Sequence, residues 1–304
     1  MEAIHLGLIG YGEVGGIFCE GLSPQVASVR AWDIKLADPV LAAPLHERAR
    51  QDGVALCASA AELCAASNLL ISAVTASNEV AVAREAALHL RPGTFYLDLN
   101  SASPGAKREA AALVESAGGH YVEAGVMTSV PPYGIRVPML LGGPHAEPLA
   151  RQLSALGMDA KPISTELGIA SAIKMCRSVM IKGLEALVIE SYTAARAYGV
   201  EDYVLPTLQE TFPAIDWTEQ GRYFYSRVVQ HGRRRAEEMR EVANTVREAG
   251  FESWMSAATA EKQDWVAQLA AQGLFDGIKK GDSWQTYADR LIAHVEKPGL
   301  QSVD

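Results

Sequence analysis

The sequence has few cysteines, no excess of basic charge and no long apolar run, and each absence argues against a class of protein. Its 304 residues carry a formal net charge of −9, which argues against nucleic acid or an anionic membrane as a partner, because both need a basic surface. Its four cysteines lack CxxC or metal-ligand spacing, which predicts reduced core thiols, no metal site and a cytoplasmic protein. Without a charged leader or about 18 consecutive apolar residues, neither secretion nor membrane insertion is predicted.

The length and the pattern of elements predict two domains. A chain of 304 residues suggests about two domains at roughly 150 residues each. The pattern predicts strands that alternate with helices in the first half and helices alone in the second half. We therefore predict an α/β, Rossmann-type, doubly wound and mostly parallel sheet in residues 1–164. An all-helical domain for substrate binding and dimerisation follows in residues 165–304, beginning with a long interdomain helix at 165–198.

A glycine-rich loop follows the first predicted strand, residues 3–9, and opens a predicted helix. Its GxGxxG pattern needs one glycine for the tight turn, one for close approach of a pyrophosphate and one for packing the helix on the strand. Asp33 ends the next strand at about the spacing where an acidic residue binds the adenosine ribose and repels a 2′-phosphate, which favours NAD over NADP. The alternative for Asp33 is a solvated strand end. The predicted loop contacts to the cofactor are Gly10, Tyr11, Gly12, Glu13, Val14 and Gly15.

Two further predicted strands, residues 69–74 and 94–99, end in polar loops. Ligands in open parallel sheets lie at the carboxyl ends of the strands. We therefore expect Val74, Thr75 and Asn100 to contact the cofactor and Ser101 to contact the substrate. For the second loop the alternative is helix capping by Ser103 ahead of a proline.

The long predicted helix at 165–198 contains no proline and ends before a glycine. Ser171, Lys174, Arg177 and Ser178 share one polar stripe on it, because they are spaced by three and four residues. We predict close packing for the opposite, small and apolar side, which includes Cys176. A lysine in such a stripe is either a salt-bridged structural group or a chemical one.

Four motifs in order resemble those of the β-hydroxyacid dehydrogenase superfamily, which includes 6-phosphogluconate dehydrogenase and the imine reductases. They are GLIGYGEVG at 7–15, DLNSASP at 98–104, EAGVMTS at 123–129 and GIASAIKMCRS at 168–178. The segment HGRRRAEEM at 231–239 is similar to a distinct phosphogluconate-dehydrogenase-like C-terminal domain. The resemblance covers nearly the whole chain and implies a homodimer in which helices of one subunit complete the other.

The resemblance places Lys174 on the catalytic lysine of the family, but other positions depart from the family pattern. Met127 replaces the loop serine that binds a substrate carboxylate, which leaves Thr128 and Ser129 as the nearest donors. Arg177 replaces an asparagine and could bind that carboxylate itself. The alternative is that Arg177 is neutralised by Glu237 or Glu238, which stand where the family has a lysine and an aspartate.

The second half is predicted to form helices at 202–211, 222–247, 255–271 and 284–295. Five aromatic residues could roof a pocket there but more often fill a helical core. They are Trp217, Tyr223, Phe224, Tyr225 and Trp254. We predict three substrate contacts in this half: Ser178, on the polar stripe, and His231 and Arg234, which lie one helical turn apart. For His231 and Arg234 the alternative is a salt-bridged helix surface.

These features predict an NAD-dependent oxidoreductase, with NADP as the less favoured cofactor. It would move a hydride between nicotinamide and the carbinol or carbonyl carbon of an acidic, hydroxy-acid-like metabolite, with Lys174 as general acid and base. The alternatives on the same scaffold are an imine reductase and a decarboxylating hydroxyacid dehydrogenase. A catalytically silent NAD-binding sensor or assembly protein is the alternative from another class.

Overall fold

The structure, a computed structural model, describes residues 3–295 of the chain. These residues form two compact units that are discontinuous in sequence. Within the described residues, the first consists of 3–176 together with Asn244–Phe251, and the second of Arg177–Ala243 together with 252–295.

The first unit contains an eight-stranded sheet in the order β3-β2-β1-β4-β5-β6-β7-β8. All neighbouring strands pair in parallel except β6 and β7, which are antiparallel. The predicted doubly wound, mostly parallel sheet is therefore confirmed. The strands are β1 His5–Ile9, β2 Ser28–Trp32, β3 Ala55–Leu56, β4 Leu69–Ser72, β5 Phe95–Asp98, β6 His120–Val126, β7 Met139–Gly142 and β8 Ala160–Ser164.

Helices cover both faces of this sheet, and the central strands β1, β4, β5 and β6 bury side chains on both sides. On one face, Leu6 and Leu8 of β1 pack with residues of α1, α2 and α6. On the other, Ile9 packs with residues of α3, α4 and α5. The helices are α1 Glu13–Leu22, α2 Pro39–Asp52, α3 Ala60–Ala66, α4 Glu79–Ala87, α5 Pro104–Ser116 and α6 Ala146–Ala155.

The strand order reverses between β1 and β4, and this fixes where a ligand can bind. The chain leaves β1 towards β2 and β3, and then returns to place β4 on the other side of β1. The connections that follow β1 and β4 therefore diverge and leave a crevice at the carboxyl ends of these strands. The glycine loop follows β1 and begins at this crevice.

Five helices make up the rest of the described chain, as predicted for the second half. The aromatic side chains of Trp217, Phe224 and Tyr225 lie in the core of the second unit, whereas those of Tyr223 and Trp254 are exposed. The helices are α7 Ile169–Tyr198, α8 Glu201–Thr211, α9 Trp217–Glu248, α10 Trp254–Ala271 and α11 Trp284–Val295.

Helix α7 differs from its prediction in where it starts and in how it packs. It begins at Ile169 rather than at residue 165, because Gly168 has a φ of +98° that ends the preceding loop. Cys176 is exposed and is not a core thiol, whereas the other three cysteines are buried. Leu187, which was predicted to lie on the same closely packed side as Cys176, is also exposed, so part of that side faces solvent.

Candidate functional site

The glycine loop has the shape that a dinucleotide requires. Gly10 has a φ of +91°, which favours glycine. A Cβ on Gly15 would overlap the carbonyl oxygen of Gly10, so the start of α1 packs directly on the turn. A Cβ on Gly12 would meet no atom within 4 Å, and Gly12 is the N-cap of α1. The open space at Gly12, beside free amides and the positive end of a helix, fits a pyrophosphate.

Asp33 holds the end of β2 against this loop. Its carboxylate accepts hydrogen bonds from the backbone N–H of Tyr11 at 2.9 Å and of Lys35 at 3.0 Å. The Tyr11 side chain is buried, with its hydroxyl donating to Asp52 at 2.6 Å and the Arg48 guanidinium 4.0 Å from its ring centre. Any contact of Tyr11 with a cofactor therefore involves its backbone. Of the other predicted loop contacts, Glu13 is exposed and Val14 is half-buried in the first turn of α1.

Asn100 connects the two polar loops that follow β4 and β5. Its side-chain oxygen accepts from the backbone N–H of Val74 at 2.7 Å, and its amide nitrogen donates to Ser72 at 3.0 Å. The side chain is buried, so in this structure it fixes the spacing of the two loops. Thr75 is exposed just beyond Val74 and accepts a hydrogen bond from Asn78 at 2.8 Å. The cofactor contacts assigned to these residues remain predictions.

Lys174 and Ser101 are brought together from separate elements of the first unit. The Nζ of Lys174, on α7, donates to the Oγ of Ser101, in the loop after β5, at 2.5 Å. Because β5 lies two strands from β1, this pair is about 10 Å across the sheet from the glycine loop. A proton-carrying amine and a hydroxyl thus lie at the edge of the sheet that also holds the dinucleotide-type loop.

The start of α7 is fixed to the sheet by a buried carboxylate. Glu123, on β6, accepts from the backbone N–H groups of Gly168 at 2.8 Å and Ala170 at 3.1 Å. It thereby satisfies donors at the helix terminus and places negative charge at the positive end of the helix dipole. A Cβ on Gly125 would lie 2.8 Å from the carbonyl oxygen of Ala170, so glycine allows α7 to contact β6 directly. Glu123 and Gly125 thus set the position of Lys174, one to two turns along the helix.

The predicted substrate contacts lie in both units. In the first unit, Thr128 is exposed and Ser129 is half-buried, in the loop after β6. In the second unit, Arg177 is exposed and forms no salt bridge with any residue in the described range 3–295. The alternative that Glu237 or Glu238 neutralises Arg177 is therefore wrong for this structure. Glu238 instead pairs with Lys182 and, at 2.9 Å, with Arg234.

Ser178 is buried in the next position of α7, and His231 is half-buried on α9. Arg234 is exposed and engaged by Glu238, as expected for the alternative of a salt-bridged helix surface. The substrate-binding roles of Ser178, His231 and Arg234 remain predictions.

Sequence reasoning missed a cluster of ionisable side chains beneath the loop after β5. Lys107, on α5, is 1% exposed, and its Nζ lies 3.0 Å from Asp98 and 3.1 Å from Glu79. It also donates to the backbone carbonyl of Asn100 at 2.8 Å. The sequence contained a signal that Lys107 has a special role, because a lysine in the first turns of a helix opposes the helix dipole. Its neighbours Arg108 and Glu109 gave that stretch the character of a solvent-facing helix.

In the described residues, no group of three or more His, Cys, Asp or Glu side chains could hold a metal ion. None of the described helices combines the length and the apolar character that crossing a membrane requires.

Comparison with known proteins agrees with this geometry. The family described as the NAD binding domain of 6-phosphogluconate dehydrogenase matches residues 5–135, and a domain of unknown function, DUF1932, matches residues 195–266. A conserved hypothetical protein from Sinorhizobium meliloti is 36% identical, with 95% of each chain covered and a TM-score of 0.74. The chain belongs to the β-hydroxyacid dehydrogenase and 6-phosphogluconate dehydrogenase-like superfamily. The resemblance inferred from its motifs is therefore confirmed.

Two more solved structures show the same architecture. A conserved protein of unknown function, described as structurally similar to 3-hydroxyacid dehydrogenases, is 32% identical; the match covers 88% of this chain and 98% of that chain, with a TM-score of 0.66. The 3-hydroxyisobutyrate dehydrogenase of Mycobacterium tuberculosis is 18% identical, covers 95% of this chain and 99% of its own, and has a TM-score of 0.65. At 18% identity, the likeness to the 3-hydroxyisobutyrate dehydrogenase shows the fold alone. The chain thus has an NAD(P)-binding domain on a hydroxyacid dehydrogenase-like or related reductase scaffold.

Proposed function

We propose that the protein is an NAD-dependent oxidoreductase that interconverts a carbinol and a carbonyl group in an acidic, hydroxy-acid-like metabolite. The observation that carries this proposal is the hydrogen bond between Lys174 and Ser101 on the dinucleotide-type edge of the sheet. Bound NAD would supply the hydride acceptor, and the open space at Gly12 fits its pyrophosphate. The chain itself must then bind the substrate and move one proton.

Lys174 is the group proposed to move that proton. In the oxidation direction its neutral amine takes the proton of the substrate hydroxyl, and in the reduction direction its ammonium returns a proton to the carbonyl oxygen. Ser101 orients the amine by accepting from Nζ. Arg177 carries an exposed guanidinium and is proposed to pair with a carboxylate on the substrate.

The role of Lys174 is tested by steady-state turnover of Lys174→Ala. A screen of hydroxy acids with NAD and NADP first identifies a substrate. The variant is expected to lose at least about 100-fold in kcat, the range of a proton-transfer group, while the Kd for NAD stays within about twofold of the wild-type value. Lys161→Ala, at an exposed lysine of β8, serves as the control and should keep full activity. A loss well below 100-fold in Lys174→Ala would remove the proposed role.

The preference for NAD is proposed from Asp33. Its carboxylate lies at the end of β2, where the adenosine ribose of a bound dinucleotide is held, and its charge opposes a 2′-phosphate. Calorimetry should give a lower Kd for NAD than for NADP. Asp33→Asn keeps an acceptor for the Tyr11 N–H but removes the charge, and should shift the NADP-to-NAD affinity ratio by about tenfold towards NADP. Equal or tighter binding of NADP to the wild-type protein contradicts the preference.

We also propose that the protein acts as a homodimer, as the family resemblance implies. The exposed Met180 and Leu187 on α7 support this, because they lie seven residues apart on one side of the helix.

A further inference from the structure

Lys107 places a charge in the interior of the first unit, where an apolar residue would cost less. Lys107, Asp98 and Glu79 are each at most 1% exposed. Removing ions from water is expensive, and well-packed apolar residues often replace such groups with no loss of stability. A gain in stability is therefore a weak explanation for this cluster, and its hydrogen bonds show what else it does.

The charges in the cluster are arranged so that Lys107 stays protonated. Burial opposes its charge, but the neighbouring carboxyl groups, chiefly the Asp98 carboxylate, outweigh burial and raise the Lys107 pKa. Burial, together with the nearby Asp98, raises the pKa of Glu79 to about 9, so that this carboxyl is mainly protonated at neutral pH. The cluster then consists of a Lys107 ammonium paired with an Asp98 carboxylate, and a neutral Glu79 beside them.

The Lys107 and Asp98 pair holds both backbone polar groups of Asn100. The Nζ of Lys107 donates to the Asn100 carbonyl at 2.8 Å. Asp98 accepts from the Asn100 N–H at 2.9 Å and, with its other oxygen, from the Tyr121 hydroxyl at 2.7 Å. Because the side chain of Asn100 is also bonded on both ends, this residue is fixed at four points. The carbonyl that Lys107 holds belongs to the peptide that joins Asn100 to Ser101.

We infer that Lys107, supported by Asp98, is a positioning residue that fixes the peptide between Asn100 and Ser101 and so holds the Ser101 hydroxyl against the Lys174 amine. This inference rests on the proposed function, because Lys174 is the group proposed to move the proton. Lys107 does not contact Lys174 or a reacting atom itself. It acts through one peptide and one hydroxyl, at 2.8 Å and 2.5 Å respectively.

The test follows the chemical reactivity of Lys174 in the free protein, without substrate or cofactor. The full chain is treated briefly with acetic anhydride at pH 8, and acetylation of Lys174 is quantified by mass spectrometry. A hydrogen bond donated by an ammonium stabilises the protonated form, so its loss increases the neutral, reactive fraction. Ser101→Ala is therefore expected to accelerate acetylation of Lys174 by about fivefold, the factor that one hydrogen bond typically contributes.

Lys107→Met is expected to accelerate acetylation of Lys174 to a similar extent. The double variant Lys107→Met/Ser101→Ala should show no further acceleration, because both changes remove the same hydrogen bond between Ser101 and Lys174. Lys161→Met removes an exposed lysine and should leave the Lys174 rate at the wild-type value. If Lys107→Met fails to fold, Lys107→Met/Asp98→Asn replaces the buried ion pair by neutral groups and still removes the donor to Asn100. This variant should give the same acceleration.

The inference is overturned if the Lys107 variants fold and acetic anhydride acetylates their Lys174 at the wild-type rate. It is also overturned if Ser101→Ala has no effect, or if the effects of the Lys107 and Ser101 substitutions multiply. A failure of the proposed function has a different signature, since Lys174→Ala would then retain turnover while the acetylation results were unchanged.

Discussion

At the scale of single residues, the first unit buries Glu79 next to the ion pair of Lys107 and Asp98, which needs only one carboxylate. Neither carboxylate oxygen of Glu79 forms a hydrogen bond of good geometry within the described structure, although one lies 3.1 Å from Lys107. Ionising Glu79 would therefore leave a second negative charge in the interior with little compensation. The free-energy cost of burying Glu79 therefore depends on pH.

Glu79→Gln should stabilise the protein progressively as the pH rises. The folded-state pKa of about 9 lies above the ordinary value of 4.5, so the unfolded chain loses this proton first and stability falls between about pH 4.5 and pH 9. Gln has no proton to lose. The free energy of unfolding of the variant, relative to wild type, should increase from pH 5 to pH 9 in urea denaturation. A difference that is the same at both pH values would contradict this. Glu109→Gln, at an exposed pair with Arg84, is the control that should show little change.

The residues with the clearest sequence signal were those whose backbone conformation the site requires. Gly10, Gly12 and Gly15 were each assigned a structural reason, and the turn of Gly10, the open space at Gly12 and the close packing of Gly15 agree with those reasons. Lys107 could not be predicted in the same way, because burial of a lysine depends on carboxylates from β5 and α4 that only the folded chain brings next to it.

At the scale of elements, the position of α7 depends on its first turn. Glu123 reaches this turn from β6, and one of its carboxylate oxygens accepts hydrogen bonds from the backbone N–H groups of both Gly168 and Ala170. The sequence identified the helix from its composition but not its first residue, because the cap comes from another strand. The predicted strands at 69–74 and 94–99 are shorter in the structure, Leu69–Ser72 and Phe95–Asp98, because a strand ends where its pairing with neighbouring strands ends.

Glu123→Ala should lower the free energy of unfolding by about 2 kcal/mol or more, because it leaves buried backbone donors at the start of α7 without an acceptor. Glu123→Gln keeps one carbonyl oxygen for the Gly168 and Ala170 N–H groups but loses the charge and the weaker acceptor of the Ser171 N–H, so a smaller loss of about 1 kcal/mol is expected. Chemical denaturation at pH 7 measures both values. Glu166→Gln, an exposed carboxylate near the same helix end, should stay within about 0.5 kcal/mol of wild type. A similarly small effect of Glu123→Ala would show that this carboxylate does not anchor α7.

At the scale of the whole molecule, the proposed homodimer accounts for apolar side chains that the single chain leaves in water. Met180 is 64% and Leu187 50% exposed on a helix whose other side lies in the core. Met180→Lys should therefore leave folding of the single chain intact but place an uncompensated charge in the interface. Light scattering after gel filtration should show a dimer for wild type and a monomer for the variant. Leu88→Lys, at a 72% exposed position on the first unit, should remain dimeric. A monomeric wild-type protein would contradict the proposal.

The return of residues 244–251 to the first unit has a consequence for any attempt to divide this protein. In that segment, Glu248 accepts from the backbone N–H of Gly105 at 2.8 Å and lies 3.6 Å from Arg108, so it secures the start of α5. A truncation after Cys176 removes this anchor. A dinucleotide-binding fragment intended for fusion or complementation should therefore carry the distal octapeptide as well, joined by a linker or added in trans.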